Sequence, residues 1–285
     1  MLAYSQEHAR EWATPLVTLE FAERLLANAR TDAATRRLLE QVDVFVIPTV
    51  NPDGANYSFN DYNFQRKNLV NHCTGASRDP KYRTMWGVDV NRNYTVGSLF
   101  DGYVGASANC LSGNYAGTAE LSEPESRNVI DLAKAHPNIR FAMNVHSYGG
   151  YFMWPPGAYK ADGRVTLPRP RSTSRRCSWA ARGASSARSR PSAAPSPGRR
   201  RRPGRRRALL GGRQLGRPAL LRAGHLRLGL RGRKRQVERG HRPVGGVGFQ
   251  PPFDEAHAEA QEYAGGLVEL VRVARDYAAA NPVRR

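Results

Sequence analysis

From Arg169 to Pro243 the chain contains no Asp, Asn, Ile, Met, Phe or Tyr, and only one Trp. Arg, Gly, Ala, Ser, Pro and Leu dominate, and such a mixture cannot assemble a packed core. Whatever this chain folds into must be built from residues 1–168 and the C-terminal stretch from 246 to 285. The segment also explains the charge. It holds 24 of the 44 Lys and Arg residues and one of the 24 acids, Glu238. The formal net charge of +20 therefore belongs to this stretch, and the remainder is slightly acidic. Two readings follow for about 170–245: a disordered basic linker, or a GC-rich gene read out of frame, which the composition favours. Back-translation permits the second. "GHLRLGLRG" (224–232), shifted by one nucleotide, can encode Gly-Ile-Tyr-Ala-Trp-Asp-Phe-Glu, a strand-like sequence.

Residues 1–168 alternate helical and strand patterns. "TPLVTLEFAERLLANA" (14–29) has apolar residues at helical spacing behind a Thr-Pro start. "VDVFVIPTV" (42–50) predicts a buried strand ending in the turn sequence "NPDG" (51–54). A helix with a Ser-Glu-Pro start is expected within 118–136, then a strand, a Ser-Tyr-Gly-Gly break and a second strand over 139–155. "DEAHAEAQEYAGGLVELVRVARDYAAA" (254–280) predicts an amphipathic helix. The pattern predicts an α/β fold with a mixed, mostly parallel sheet flanked by helices. Residues 1–168 and 246–285 would be two parts of one incomplete domain.

No zinc-type cysteine spacing occurs among Cys73, Cys110 and Cys177. Cys73 and Cys110 flank a Gly/Asn/Ser-rich region and are candidates to pair, which suits an oxidising compartment. No apolar run reaches membrane-spanning length. The N-terminus shows no signal peptide, which fits either a cytosolic protein or a chain missing its true start.

The chemistry-bearing residues are spread along the first part. His8 and Glu11, in "HAREW", are three apart and face one side of a helical turn. His146 ends an apolar strand in "NVHSYGG". Together they would make a His₂Glu zinc site with an open position. Asn91-Arg92, in "GVDVNRNY", offers a fork of donors suited to a free carboxylate. Asp89 could orient a ligand imidazole. Arg66 lies in "FQRKN"; taken alone, it reads as a surface charge.

In order, HAREW, NPDG, QRK, GVDVNRN and HSY resemble the motifs of the zinc carboxypeptidases of the carboxypeptidase A type (peptidase family M14). The resemblance covers the first 168 residues. It implies His8, Glu11 and His146 as ligands of one zinc ion, with Asp89 supporting His8. It implies Arg66 as the group that stabilises the oxyanion. Asn91 and Arg92 would hold the substrate's C-terminal carboxylate, and Tyr148 would line the cleft. The implied protein is a secreted, monomeric metallocarboxypeptidase acting on peptide or protein C-termini, without a membrane. Two departures stand out. The family places about 60–70 residues before its His-x-x-Glu, so an open sheet edge is expected here. The family also needs a late-strand Glu as general base and a mobile Tyr. No Tyr lies between Tyr159 and Tyr263, and Glu238 is the lone acid between Asp162 and Asp254. In the shifted frame a Glu codon would straddle Arg231 and Gly232, and a Tyr codon Leu209 and Leu210. No residue is therefore assigned as base, and impaired activity is expected. The competing expectation is an inactive carboxypeptidase-like protein that binds zinc and peptide C-termini. Nucleic-acid binding by 169–243 ranks last, because the stretch has only Trp179 for stacking.

Overall fold

The computed structural model describes residues 1–148, 151–153, 222–228 and 248–282. They belong to one compact unit, Met1–Arg169 with Leu221–Arg285; a second unit, Pro170–Leu220, lies outside the described residues. Most of the Arg/Gly/Pro-rich stretch is thus beyond description, including Glu238 and the positions flanking the shifted-frame codons.

Five strands form one sheet: β1 (Leu2–Ser5), β2 (Phe45–Ile47), β3 (Phe141–Ser147), β4 (Tyr151–Met153) and β5 (Arg222–Leu228). Their order is β2-β1-β3-β5-β4. All neighbours are parallel except β4 and β5, so the mixed, mostly parallel α/β sheet is as expected. β2 pairs with β1 alone among the described strands and forms an edge. β5 lies within the basic stretch, most of which is outside the described residues. Its backbone pairs with β3 along the whole register from Phe141↔Arg222 to Ser147↔Leu228. Ladder hydrogen bonds need only main-chain groups, and "HLRL" does alternate with period two.

The helices are α1 (Thr14–Thr31), α2 (Ala33–Leu39), α3 (Pro52–Asn60), α4 (Pro124–Ala135) and α5 (Phe253–Ala280). α1 buries Val17, Phe21 and Leu25 at four-residue spacing, one stripe of a helix. α5 buries Ala256, Ala260, Ala264, Leu267, Val268, Val271 and Ala274. The small alanines allow close approach, and α5 packs on α1 and on Phe141, Met143 and Val145 of β3. Alternate residues of the strands point the other way. Leu2, Tyr4 and Ala142 pack there with Val50, Val90, Val129 and Ile139.

Local chemistry shifts two expected boundaries and keeps a third. "NPDG" is a helix start rather than a turn: the Asn51 side chain accepts the Gly54 amide at 3.0 Å, and Pro52 opens α3. The strand expected over 42–50 is paired only at Phe45–Ile47, where it meets β1. The helix within 118–136 begins at Pro124, at the expected Ser-Glu-Pro start. The preceding loop is held open because Asn93 Nδ2 donates to the carbonyls of Ala116 and Ala119. Cys73 and Cys110 form a disulfide, Cα–Cα 5.5 Å apart. No helix among the described residues is long and apolar enough to cross a membrane.

Candidate metal centre

"HAREW" is the turn between β1 and α1, not the start of the helix itself. The Glu11 amide donates to the His8 carbonyl at 3.1 Å, which brings both side chains to one side. The turn is pinned from outside. The Ala9 amide donates to the Arg66 carbonyl at 3.1 Å, and Ser58 Oγ donates to the Ala9 carbonyl at 3.1 Å while accepting Trp12 Nε1 at 2.9 Å.

β3 supplies the third side chain. His146 shares with Ala142 and Asn144 the face opposite Phe141, Met143 and Val145. The carboxylate of Glu11 stands between the two rings: Oε1 is 2.8 Å from His8 Nδ1, and Oε2 is 3.0 Å from His146 Nδ1. Donor atoms of His8, Glu11 and His146 all lie within 4.8 Å of one another, and all three residues are buried. Two imidazole nitrogens and a carboxylate converging in a buried site fit zinc. Burial opposes ionisation of Glu11, but the charges and hydrogen bonds of His8 and His146 prevail and hold its carboxyl far below the usual range. For His146, burial acts to lower the pKa. The Glu11 charge, with hydrogen bonds to Glu11 and Glu7, outweighs that and lifts it to about 9.

Asp89 ties the flanking residues to this centre. Its Oδ1 is 3.2 Å from His8 Nε2 and accepts the Asn91 amide at 3.1 Å. Its Oδ2 accepts Arg66 Nη2 at 2.8 Å and Nε at 3.1 Å. Desolvation would raise its pKa, but His8, Arg66 and Arg92 overcome that and keep the carboxyl strongly ionised. Asp89 caps a short 3₁₀ turn, Val90–Arg92, that presents the amide–guanidinium pair. Asn91 Nδ2 lies 3.2 Å from His146 Nε2. Arg92 donates to the carbonyls of Gly105 at 2.9 Å and Asn91 at 3.0 Å. Arg66, Asn91 and Asp89 thus gather at the His₂Glu group. Arg92 reaches outward, and Tyr148 stands apart, half exposed, its ring 5.0 Å from that of Phe249.

Several partners were not anticipated. Glu7 is fully buried and accepts the Tyr94 hydroxyl and Asn144 Nδ2. The acid next to His8, and an Asn two before His146, were visible in the sequence, but nothing in it joined them. Residues 249–250 close over the turn: the Trp12 amide donates to the Phe249 carbonyl, and the Arg10 guanidinium sits 4.0 Å from the Phe249 ring centre.

The Peptidase M14 family model, described as "Zinc carboxypeptidase", matches residues 2–205.

The chain belongs to the zinc carboxypeptidase family.

Among curated members it is similar to bovine (Bos taurus) carboxypeptidase O, 34% identical over 154 residues, covering 54% of this chain and 38% of that protein. It is 35% identical over 150 residues to mouse (Mus musculus) carboxypeptidase A2, covering 53% of this chain and 33% of that protein. The chain thus spans little more than a third of the length of these relatives. Its fold is similar to that of carboxypeptidase A from Helicoverpa armigera, with a TM-score of 0.64 at 19% identity, over 98% of this chain and 62% of that one.

Proposed function

We propose that the chain carries the metal-binding and carboxylate-binding parts of a zinc metallocarboxypeptidase, an enzyme hydrolysing the C-terminal peptide bond of peptides and proteins. The carrying observation is the convergence of three buried donors, His8, Glu11 and His146, beside Arg66 and Asn91. These three side chains would hold one zinc ion. Bound there, zinc supplies a Lewis acid for the scissile carbonyl and a means of acidifying water. Arg66 uses Nε and Nη2 on Asp89, which leaves Nη1 to donate to the oxyanion as charge develops. Asn91 and Arg92 receive the terminal carboxylate. The carbonyls that Arg92 now bonds are neutral, and a carboxylate would displace them as the stronger acceptor. Tyr148, half exposed, lines the approach. The disulfide fits a secreted protein.

No residue is assigned as general base: the sequence offers one acid, Glu238, between Asp162 and Asp254, and "KRQVERGHR" around it is not strand-like. Turnover is therefore expected to fall about 10²–10⁴-fold below that of a zinc carboxypeptidase with an intact base. That same observation favours a second reading, a protein that binds zinc and peptide C-termini without turnover. A frame shift over about 170–245 accounts for the missing base, and the nucleotide sequence checks it. The functional test compares a peptide bearing a free C-terminus with its amidated form. Zinc-dependent binding of the free form alone, with slow hydrolysis, is the expected result. Equal binding of both would sink the assignment of Asn91 and Arg92, and family-level rates would sink the loss of the base.

A further inference from the structure

Glu7 is a buried carboxylate that the chemistry above does not use. It lies two residues past the end of β1, after Gln6, and is fully enclosed. Its Oε1 accepts the Tyr94 hydroxyl at 2.5 Å, and its Oε2 accepts Asn144 Nδ2 at 2.5 Å. The same Oε2 lies 3.5 Å from His146 Nε2. Asn144 and His146 are two apart on β3 and share a face, and Glu7 spans both. The backbone is bent to put it there. Gln6 has φ 53°, a left-handed conformation uncommon for a residue other than glycine. Gln6 is held by Thr49 Oγ1 on its side-chain oxygen, by its own Nε2 on the Ala9 carbonyl, and by the Asn51 amide on its carbonyl.

A buried carboxylate is costly unless its oxygens are satisfied. Tyr94 and Asn144 would suffice for that, so the approach to the His146 ring calls for a separate reason. The other ligand ring provides the parallel: His8 turns Nδ1 to Glu11 and Nε2 to Asp89. His146 turns Nδ1 to Glu11 and Nε2 to Glu7. With Nδ1 facing a metal, Nε2 carries the proton and needs an acceptor. Asn91 Nδ2, 3.2 Å away, can only donate to Nε2, so the Asn91 and Glu7 contacts call for opposite tautomers, and a metal on Nδ1 selects the one whose Nε2–H faces Glu7.

We propose that Glu7 is the positioning carboxylate of His146, drawing Nε2–H toward itself and so holding Nδ1 toward Glu11 and the metal. Each ligand histidine then has its own carboxylate behind it, Asp89 for one and Glu7 for the other.

This inference rests on the zinc-site reading, and its test separates the two. Zinc dissociation constants are measured on the full 285-residue chain by chelator competition, beside thermal melting of the metal-free protein. Glu7→Ala is expected to weaken zinc about 10–100-fold. Glu7→Gln keeps an acceptor but not the charge and gives a smaller loss. Tyr94→Phe, which loosens Glu7 without touching His146, gives a smaller loss still. In the zinc-loaded protein the His146 Nε2–H resonance should be displaced in Glu7→Ala. If Glu7→Ala does not fold, Tyr94→Phe and Glu7→Gln carry the test. Variants that melt earlier but keep wild-type zinc affinity and the His146 signal would make Glu7 a core polar group and overturn the proposal. So would a loss on Asn91→Ala with none on the Glu7 variants. A wild type that takes up no zinc overturns the site itself; one that loses zinc on Glu11→Ala but not on the Glu7 variants overturns only the role of Glu7.

Discussion

The two faces of β3 do different work with the same strand. Phe141, Met143 and Val145 point into an apolar layer with α1 and α5, where alanine and branched side chains fill the space. Asn144 and His146, on the opposite face, meet Glu7 and Glu11, buried carboxylates satisfied by specific partners. The first face stabilises through area removed from water, which is non-directional and tolerates small shifts. The second costs free energy unless every polar atom finds its partner, so it fixes geometry. Stability and site geometry are therefore separable by mutation. Truncation on the apolar face should unfold the protein while leaving the folded site competent, and truncation on the polar face should cost zinc affinity of the folded fraction beyond any loss of stability.

The largest test of that separation is Phe21→Ala. Phe21 is fully buried in the α1 layer, and its truncation should cost about 3–5 kcal/mol. Urea denaturation reads the loss, while zinc affinity of the folded fraction should not move. On the polar face, Arg66→Met should slow hydrolysis of a free-C-terminal peptide about 10²–10³-fold. A smaller loss would mean that the Asp89 pairing is its main role. The next effect concerns pH. In the metal-free protein His146 is raised to about 9 from its ordinary value. Its contribution to stability is then complete below about pH 6.5 and lost as pH rises through 9. Zinc must expel that proton, so zinc affinity should climb by up to about tenfold per unit as pH rises toward 9. Melting and chelator competition across pH 6–10 should show these opposite slopes. The smallest effect is Asn51→Ala, which removes the α3 cap and should cost about 1 kcal/mol in urea denaturation.

How much of this was legible in the sequence differs between the faces. α1 and α5 were visible because their apolar stripes repeat at helical spacing. The His₂Glu group was visible only through ordered motifs, since a strand-end His and an i, i+3 pair carry no signal of proximity over 135 positions. Glu7 was hidden for a related reason. Its meaning depends on the bend at Gln6 and on Tyr94, 87 positions away. NPDG misled because a turn and a capped helix start use the same residues, and only the Asn51–Gly54 bond separates them. β5 was hidden by composition, since a strand in the middle of a sheet is held by its backbone.

Zinc titration of the metal-free chain tests the central claim most directly. Calorimetry on wild type, Glu11→Ala and His146→Ala should give one zinc per chain for the wild type. Both variants should lose more affinity than the about 10–100-fold expected for a supporting residue. Zinc uptake that persists unchanged in both variants, or that is absent from the wild type, would contradict the account.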